Sequence, residues 1–142
     1  LDEMLWASLG TGVFLNDTPL TTPEPRPLNE MLVSTCLPYH AKGDCSTALN
    51  QLAALMPQVA GIRSPGSAAL EIAYTSLGRF DAFWSQGAKL DFWDIAAGIV
   101  IAREAGYTVT DLTGEPNPAQ WNSLLAAHPE QHSQLLACLA SC

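Results

Sequence analysis

Apolar and polar positions change rhythm once along the chain, at a cluster of prolines. Ahead of it, Gly10-Thr11-Gly12 and Asn16-Asp17 bracket Val13-Phe14-Leu15, the pattern of short antiparallel strands joined by tight turns. A lone hairpin is marginal in water, so residues 1–20 are expected to form the edge of a larger sheet. Thr21 to Pro27 (TTPEPRP) holds three prolines in seven residues, which neither a sheet ladder nor a helix interior accepts.

Beyond the prolines, strands and helices alternate. Met31 to Leu37 is a compact apolar strand. Asp44 to Met56 is helical, with Leu49, Leu52, Ala53 and Met56 at i, i+3, i+4, i+7, and Pro57 stops it. Val59 to Arg63 reads as a short strand. Ser67 to Leu77 is a helix with Leu70, Ala73, Tyr74 and Leu77 on one face and Gly78 as its cap. Phe80 to Trp84 is the next strand. Ile95 to Ala105 is apolar nearly all round, the mark of a buried helix. Tyr107 to Leu112 and Ser123 to Ala127 are strands. Glu130 to Leu139 closes the chain, with His132, Leu135, Leu136 and Leu139 on one face. Strands separated by helices imply a layered α/β unit with a parallel or mixed sheet. The division expected is a hairpin and linker at 1–28 and an α/β domain at 29–142.

Composition narrows the picture. Hydrophobic residues make up 48% of the 142 and charged residues 14%, low beside a typical share of about 25%, which excludes a disordered tail. Six basic residues against fourteen acidic ones leave a net charge of −8, a surface that repels nucleic acid and anionic membranes. A phosphate-bearing substrate would need a cation to screen it. No apolar run reaches the ~18 residues of a membrane span, and no signal peptide opens the chain. Cys36, Cys45, Cys138 and Cys142 form no CxxC pair and read as reduced thiols of a cytoplasmic protein.

Candidate chemistry concentrates in Phe92-Trp93-Asp94-Ile95-Ala96-Ala97-Gly98. Asp94 stands where an N-cap belongs, and spacing alone favours that role, yet a helix N-terminus in a layered α/β protein also collects anions and metal-bound phosphates. One carboxylate does not hold Mg²⁺, which demands several oxygens. Ser64-Pro65-Gly66-Ser67-Ala68-Ala69 is a small-residue turn, either an ordinary helix start or a place where backbone N–H groups approach a ligand. His128 and His132 are four apart, as in a helical zinc site, but Pro129 pushes His128 out of the helix and a zinc site needs three or four ligands. Asp81, Asp91 and Asp111 read as solvated carboxylates, and Trp84 and Trp93 as core.

Three segments together resemble one family: Gly66-Ser67-Ala68-Ala69-Leu70-Glu71-Ile72-Ala73-Tyr74, Gly78-Arg79-Phe80-Asp81-Ala82-Phe83-Trp84, and Trp93-Asp94-Ile95-Ala96-Ala97-Gly98 running into Arg103-Glu104-Ala105-Gly106. In this order they resemble the C-terminal half of the inositol monophosphatase family of Mg²⁺-dependent, lithium-sensitive sugar phosphatases. Asp2 to Asn16 is similar to the stretch after that family's central metal motif, and Leu124 to Pro129 with His132 to its closing strand and helix.

The resemblance implies a layered αβαβα sugar-phosphatase fold, with a hairpin from the preceding antiparallel sheet. It implies hydrolysis of a phosphate monoester, inositol monophosphate first, by Mg²⁺-activated water. Asp94 is then a metal ligand beside the substrate hydroxyls, with Gly66, Ser67 and Ala68 lining the substrate pocket. The family's Glu-Glu pair and Asp-Pro-x-Asp-Gly-Thr motif, which supply most metal ligands from the N-terminal half, are not in these residues. Many members also carry a substrate-holding Glu about seven residues before the metal Asp. Gly87 stands there, in a lengthened segment, with Gln86 and Asp91 the nearest candidates to replace it. Expected partners are a small phosphorylated polyol or sugar, the N-terminal half, and a second copy in a homo-oligomer. Two alternatives stay open: a non-catalytic truncated domain that self-associates, and the same chemistry on histidinol phosphate, a 3′-phosphoadenosine nucleotide or a sugar bisphosphate.

Overall fold

The computed structural model describes residues 2–39 and 42–142. The first twenty residues fold as β1 (Leu5–Ser8), β2 (Gly12–Leu15) and the short β3 (Thr18–Pro19), a three-stranded antiparallel sheet in which Leu5 pairs with Leu15 and Ala7 with Val13. After the prolines and a 3-10 turn at Leu28–Glu30 come β4 (Leu32–Thr35), α1 (Cys45–Leu55), β5 (Gly61–Arg63), α2 (Ala68–Ser76) and β6 (Ala82–Gln86). Then follow α3 (Phe92–Glu104), β7 (Thr108–Thr110), β8 (Ser123–Ala127) and α4 (Pro129–Ala140). The second sheet has the order β5-β4-β6-β8-β7. Its first three strands are parallel, and β8 runs antiparallel to both β6 and β7.

Strand alternation divides the core in two. On β6 and β8, Phe83, Leu124 and Ala126 face α2 and α3 and join Ile72, Ile95 and Ile99. Trp84, Leu125 and Ala127 point the other way, onto Leu55 of α1 and Leu135 and Leu139 of α4. This period of two is what a sheet buried on both faces requires. Leu5, Ala7 and Val13 of the small sheet close onto α3 from its far side. The layers therefore run α1/α4, five-stranded sheet, α2/α3, three-stranded sheet. Helices α2 and α3 touch because Gly98 has no side chain, and a Cβ there would lie 2.7 Å from that of Ile72.

The expected strands and helices are all present, with three corrections inside them. The buried face of α1 is Ala48, Gln51 and Leu55, while Leu49 and Met56 are exposed. The face is turned because Gln51 is held inside: its Oε1 accepts from Trp84 Nε1 at 3.1 Å and its Nε2 donates to the Leu139 carbonyl. Trp93, expected in the core, is 75% exposed. Asp81 is not solvated: it accepts the Leu32 N–H at 2.7 Å and pairs with Arg26.

Candidate active site

A cavity of about 540 Å³ opens beyond the carboxyl ends of the parallel strands β5, β4 and β6. Ligands in open α/β sheets bind in that crevice. Helices α2 and α3 both begin there.

At α2, Gly66 (φ +89) turns the chain and Ser67 is the N-cap, with no side-chain capping bond of its own. The amides behind that turn are held from within: Glu71 Oε1 accepts from Gly66 N at 2.9 Å and Ser67 N at 3.1 Å. Glu71 is fully buried, and its Oε2, like the Ser34 hydroxyl, has no partner among the described residues. Burial pushes its carboxyl above the ordinary range, against the pull of the two amides. Cys36, on the same wall, donates its thiol to Glu71 Oε1 at 3.5 Å. Burial and the neighbouring Glu71 push that thiol up to about 12, so it stays protonated and is no nucleophile at neutral pH.

At α3 the structure corrects the sequence reading. The N-cap is Asp91, and Asp94 sits at the third helical position. Asp94 Oδ2 accepts the Asp91 N–H at 2.9 Å, which leaves Oδ1 for the cavity it lines. Ser67, Ala68 and Gly66 line the same cavity. All four residues singled out from the sequence thus line one cavity.

The third wall is two crossing loops. Gly43 (φ +100) and Gly87 (φ +78) pass so closely that a Cβ on Gly43 would lie 1.8 Å from the Gly87 carbonyl oxygen, and one on Gly87 2.5 Å from that of Asp44. Asp44 N donates to the Gly87 carbonyl at 2.9 Å and seals the crossing. No side chain fits at Gly87 without moving backbone. The two candidates to replace a carboxylate there point elsewhere. Gln86 accepts from Gln51 Nε2, and Asp91 lines a separate cavity beside Trp121. The cavity wall after the crossing is Ala88, Lys89 and Leu90.

Neither His128 nor His132 lines this cavity. His132 is buried with Nε2 3.0 Å from the Thr110 hydroxyl, and desolvation lowers its pKa. That hydroxyl donates to the Asp111 carbonyl at 2.7 Å, so His132 carries its proton on Nε2. His128 caps α4, accepting from Glu130 N at Nδ1.

The sequence profile of the inositol monophosphatase family matches residues 1–142. The chain belongs to that family. It is 39% identical over 127 residues to the inositol-1-monophosphatase of Rhizobium meliloti (strain 1021), covering 89% of this chain and 47% of that protein. It is 35% identical over 136 residues to the Nus factor SuhB of Escherichia coli (strain K12), covering 96% and 50%. Its fold superposes on the crystal structure of the extragenic suppressor protein suhB from Bartonella henselae with a TM-score of 0.89 at 36% identity, over 97% of this chain and 53% of that one. The chain spans about half the length of the curated relatives it matches.

Family membership raises the question of a divalent metal, which these residues do not answer alone. Among the described residues no three His, Cys, Asp or Glu side chains converge, and Asp94 is the one carboxylate lining the cavity. A single oxygen falls well short of the octahedral set that Mg²⁺ requires. Sequence reading also missed two features of this inositol monophosphatase family site. Glu71, which builds the α2 turn, sits four residues after Ser67, one beyond the capping-box spacing, so spacing alone does not single it out. The glycine crossing is tertiary and leaves no local signature.

Proposed function

We propose that this chain supplies the substrate-pocket half of a phosphate-monoester hydrolase, with inositol monophosphate the first substrate to try. The observation that carries the reading is the convergence of two helix N-termini and Asp94 on one cavity, in a member of a phosphatase family. First-turn N–H groups without intrahelical partners favour an anion. Asp94 Oδ1 accepts a substrate hydroxyl or holds a metal ion, and the uncapped Ser67 hydroxyl orients the polyol. Glu71 keeps the α2 turn in place beneath them. Remaining metal ligands would come from outside these residues, and residues 1–28 belong with that part. Histidinol phosphate, a 3′-phosphoadenosine nucleotide and a sugar bisphosphate fit the same chemistry, in the cytoplasm. No helix among the described residues is long and apolar enough to cross a membrane.

Phosphate release with Mg²⁺ tests the proposal. The chain alone, its mass verified, is expected to show no appreciable turnover. Mixed with the N-terminal half of a relative it is expected to turn over, and Asp94→Asn is expected to abolish that activity. Robust turnover by the chain alone contradicts the half-site reading, and failure of the mixture contradicts the enzyme reading.

A second reading, a non-catalytic domain that self-associates, has its own observation. The outer face of the three-stranded sheet carries Trp6 stacked on Phe14 (ring centroids 4.4 Å apart, planes at 8°), beside exposed Met4 and Leu9. Among the described residues strand β1 pairs with β2 alone, which leaves its other edge open. Open apolar sheet edges recruit copies of themselves. Sedimentation across a dilution series should show a concentration-dependent dimer, and a monomer throughout would remove this reading.

A further inference from the structure

The catalytic cavity of a protein with net charge −8 would be expected to be acidic, but its third wall is not. Lys42 and Lys89, two of only six basic residues in the chain, both line it. They come from loops far apart in sequence and are brought to one rim by the glycine crossing: Lys42 directly precedes Gly43, and Lys89 follows Gly87 by two residues. Reciprocal backbone hydrogen bonds between Tyr39 and Lys42 (3.1 and 2.8 Å) fix one loop, and the Lys42 ammonium lies 5.9 Å from the centre of the Tyr39 ring. Among the described residues the ion pairs are Arg26–Asp81 and Arg79–Glu3, so neither lysine is neutralised by an acid. Two cations lining one cavity, with no acid paired to either among the described residues, make its local potential favour an anion.

Resting on the phosphatase reading above, we propose that Lys42 and Lys89 receive a second anionic group of the substrate, so that the cavity prefers a polyol or sugar carrying two phosphates over one carrying a single phosphate. The scissile phosphate lies against the α2 and α3 N-termini and Asp94. The second anion lies across the cavity, on the wall where steric crowding at Gly87 bars a carboxylate that would bind an uncharged hydroxyl. The lysines thus replace hydroxyl recognition by charge recognition. Their attraction is open to solvent and therefore sensitive to salt.

Glucose 1-phosphate and glucose 1,6-bisphosphate form a matched pair of probes. Each is titrated into the ¹⁵N-labelled 142-residue chain with Mg²⁺ at low salt, following the amides of Gly66, Ser67 and Asp94. The bisphosphate is expected to bind about tenfold more tightly. In Lys42→Ala/Lys89→Ala the ratio is expected to fall to within about twofold, and Lys42→Arg/Lys89→Arg is expected to restore it, since the guanidinium also binds phosphate. Equal affinities in the parent chain, or a ratio that survives the alanine pair, would overturn the inference while leaving the site standing. If neither probe moves those amides, the anion-binding role of the α2 and α3 N-termini in this chain fails, and the inference with it, while the mixing assay still tests the phosphatase reading.

Discussion

Helices α2 and α3 begin side by side at the cavity, and each carries an acid in its first turns that folds back on backbone N–H groups. In α2 the acid is Glu71, fully buried, with one oxygen holding two amides and the other unpartnered. In α3 it is Asp94, partly exposed and lining the cavity, with one oxygen on the Asp91 N–H. Local chemistry is nearly the same and the roles are opposite. Burial decides which carboxylate is architecture and which is available to a ligand. A charged group in Glu71's place costs desolvation, which raises its pKa against the pull of the amides it clamps. Asp94, partly exposed, lines the cavity, where the proposed function gives it a cation or a hydroxyl.

Removing the clamp should have the largest effect. Glu71→Ala leaves the Gly66 and Ser67 amides without their acceptor and opens a void, at a cost of about 2–3 kcal/mol in urea unfolding. A loss as small as a surface change would erase the distinction between the two acids. The clamp's charge state sharpens the comparison through pH. Because the folded pKa of Glu71 lies above its ordinary 4.5, the folded chain binds more protons than the unfolded chain between those two values. Stability contributed by this residue is therefore present below pH 4.5 and lost as pH rises through the window. Glu71→Gln keeps the acceptor and removes the titration, so its stability relative to the parent should climb from pH 4.5 upward and then level. His132, with its pKa lowered from 6.5 by burial, destabilises both proteins as pH falls below that value and cancels in the difference. A difference that is flat with pH would mean Glu71 folds as a charged group. The smallest stability effect belongs to Asp94→Asn, about 0.5 kcal/mol or less, because the amide oxygen still accepts the Asp91 N–H. The same change should cost most of the binding of a phosphate ester in the presence of Mg²⁺.

Much of the fold was legible because each layer leaves a period in the sequence. Alternation at Phe83/Trp84 and at Leu124/Leu125 faces two separate helical layers, and every strand and helix lies near its expected place. Errors came where a polar group was buried or an apolar one left out. Gln51, locked to Trp84, turned the face of α1, and the exposed Phe92 and Trp93 drew the start of α3 three residues too late. The site was legible on one wall only. Gly66, Ser67, Ala68 and Asp94 lie in local motifs at two helix starts, so a reader of spacing could pair them. Lys42 and Lys89 line one cavity because the loops that carry them cross at Gly43 and Gly87, and nothing near either lysine announces the other.

The central claim is that ligand chemistry in this chain gathers at the α2 and α3 N-termini, with Asp94 the partly exposed carboxylate there. The most direct measurement is a ¹H–¹⁵N correlation spectrum of the 142-residue chain titrated with inositol 1-phosphate and Mg²⁺. The account predicts shifts at Gly66, Ser67, Ala68 and Asp94, reduced in Asp94→Asn, and silence around Trp121 and Asn122 in the neighbouring cavity. Shifts centred on Trp121, or an Asp94→Asn chain that responds like the parent, would contradict it.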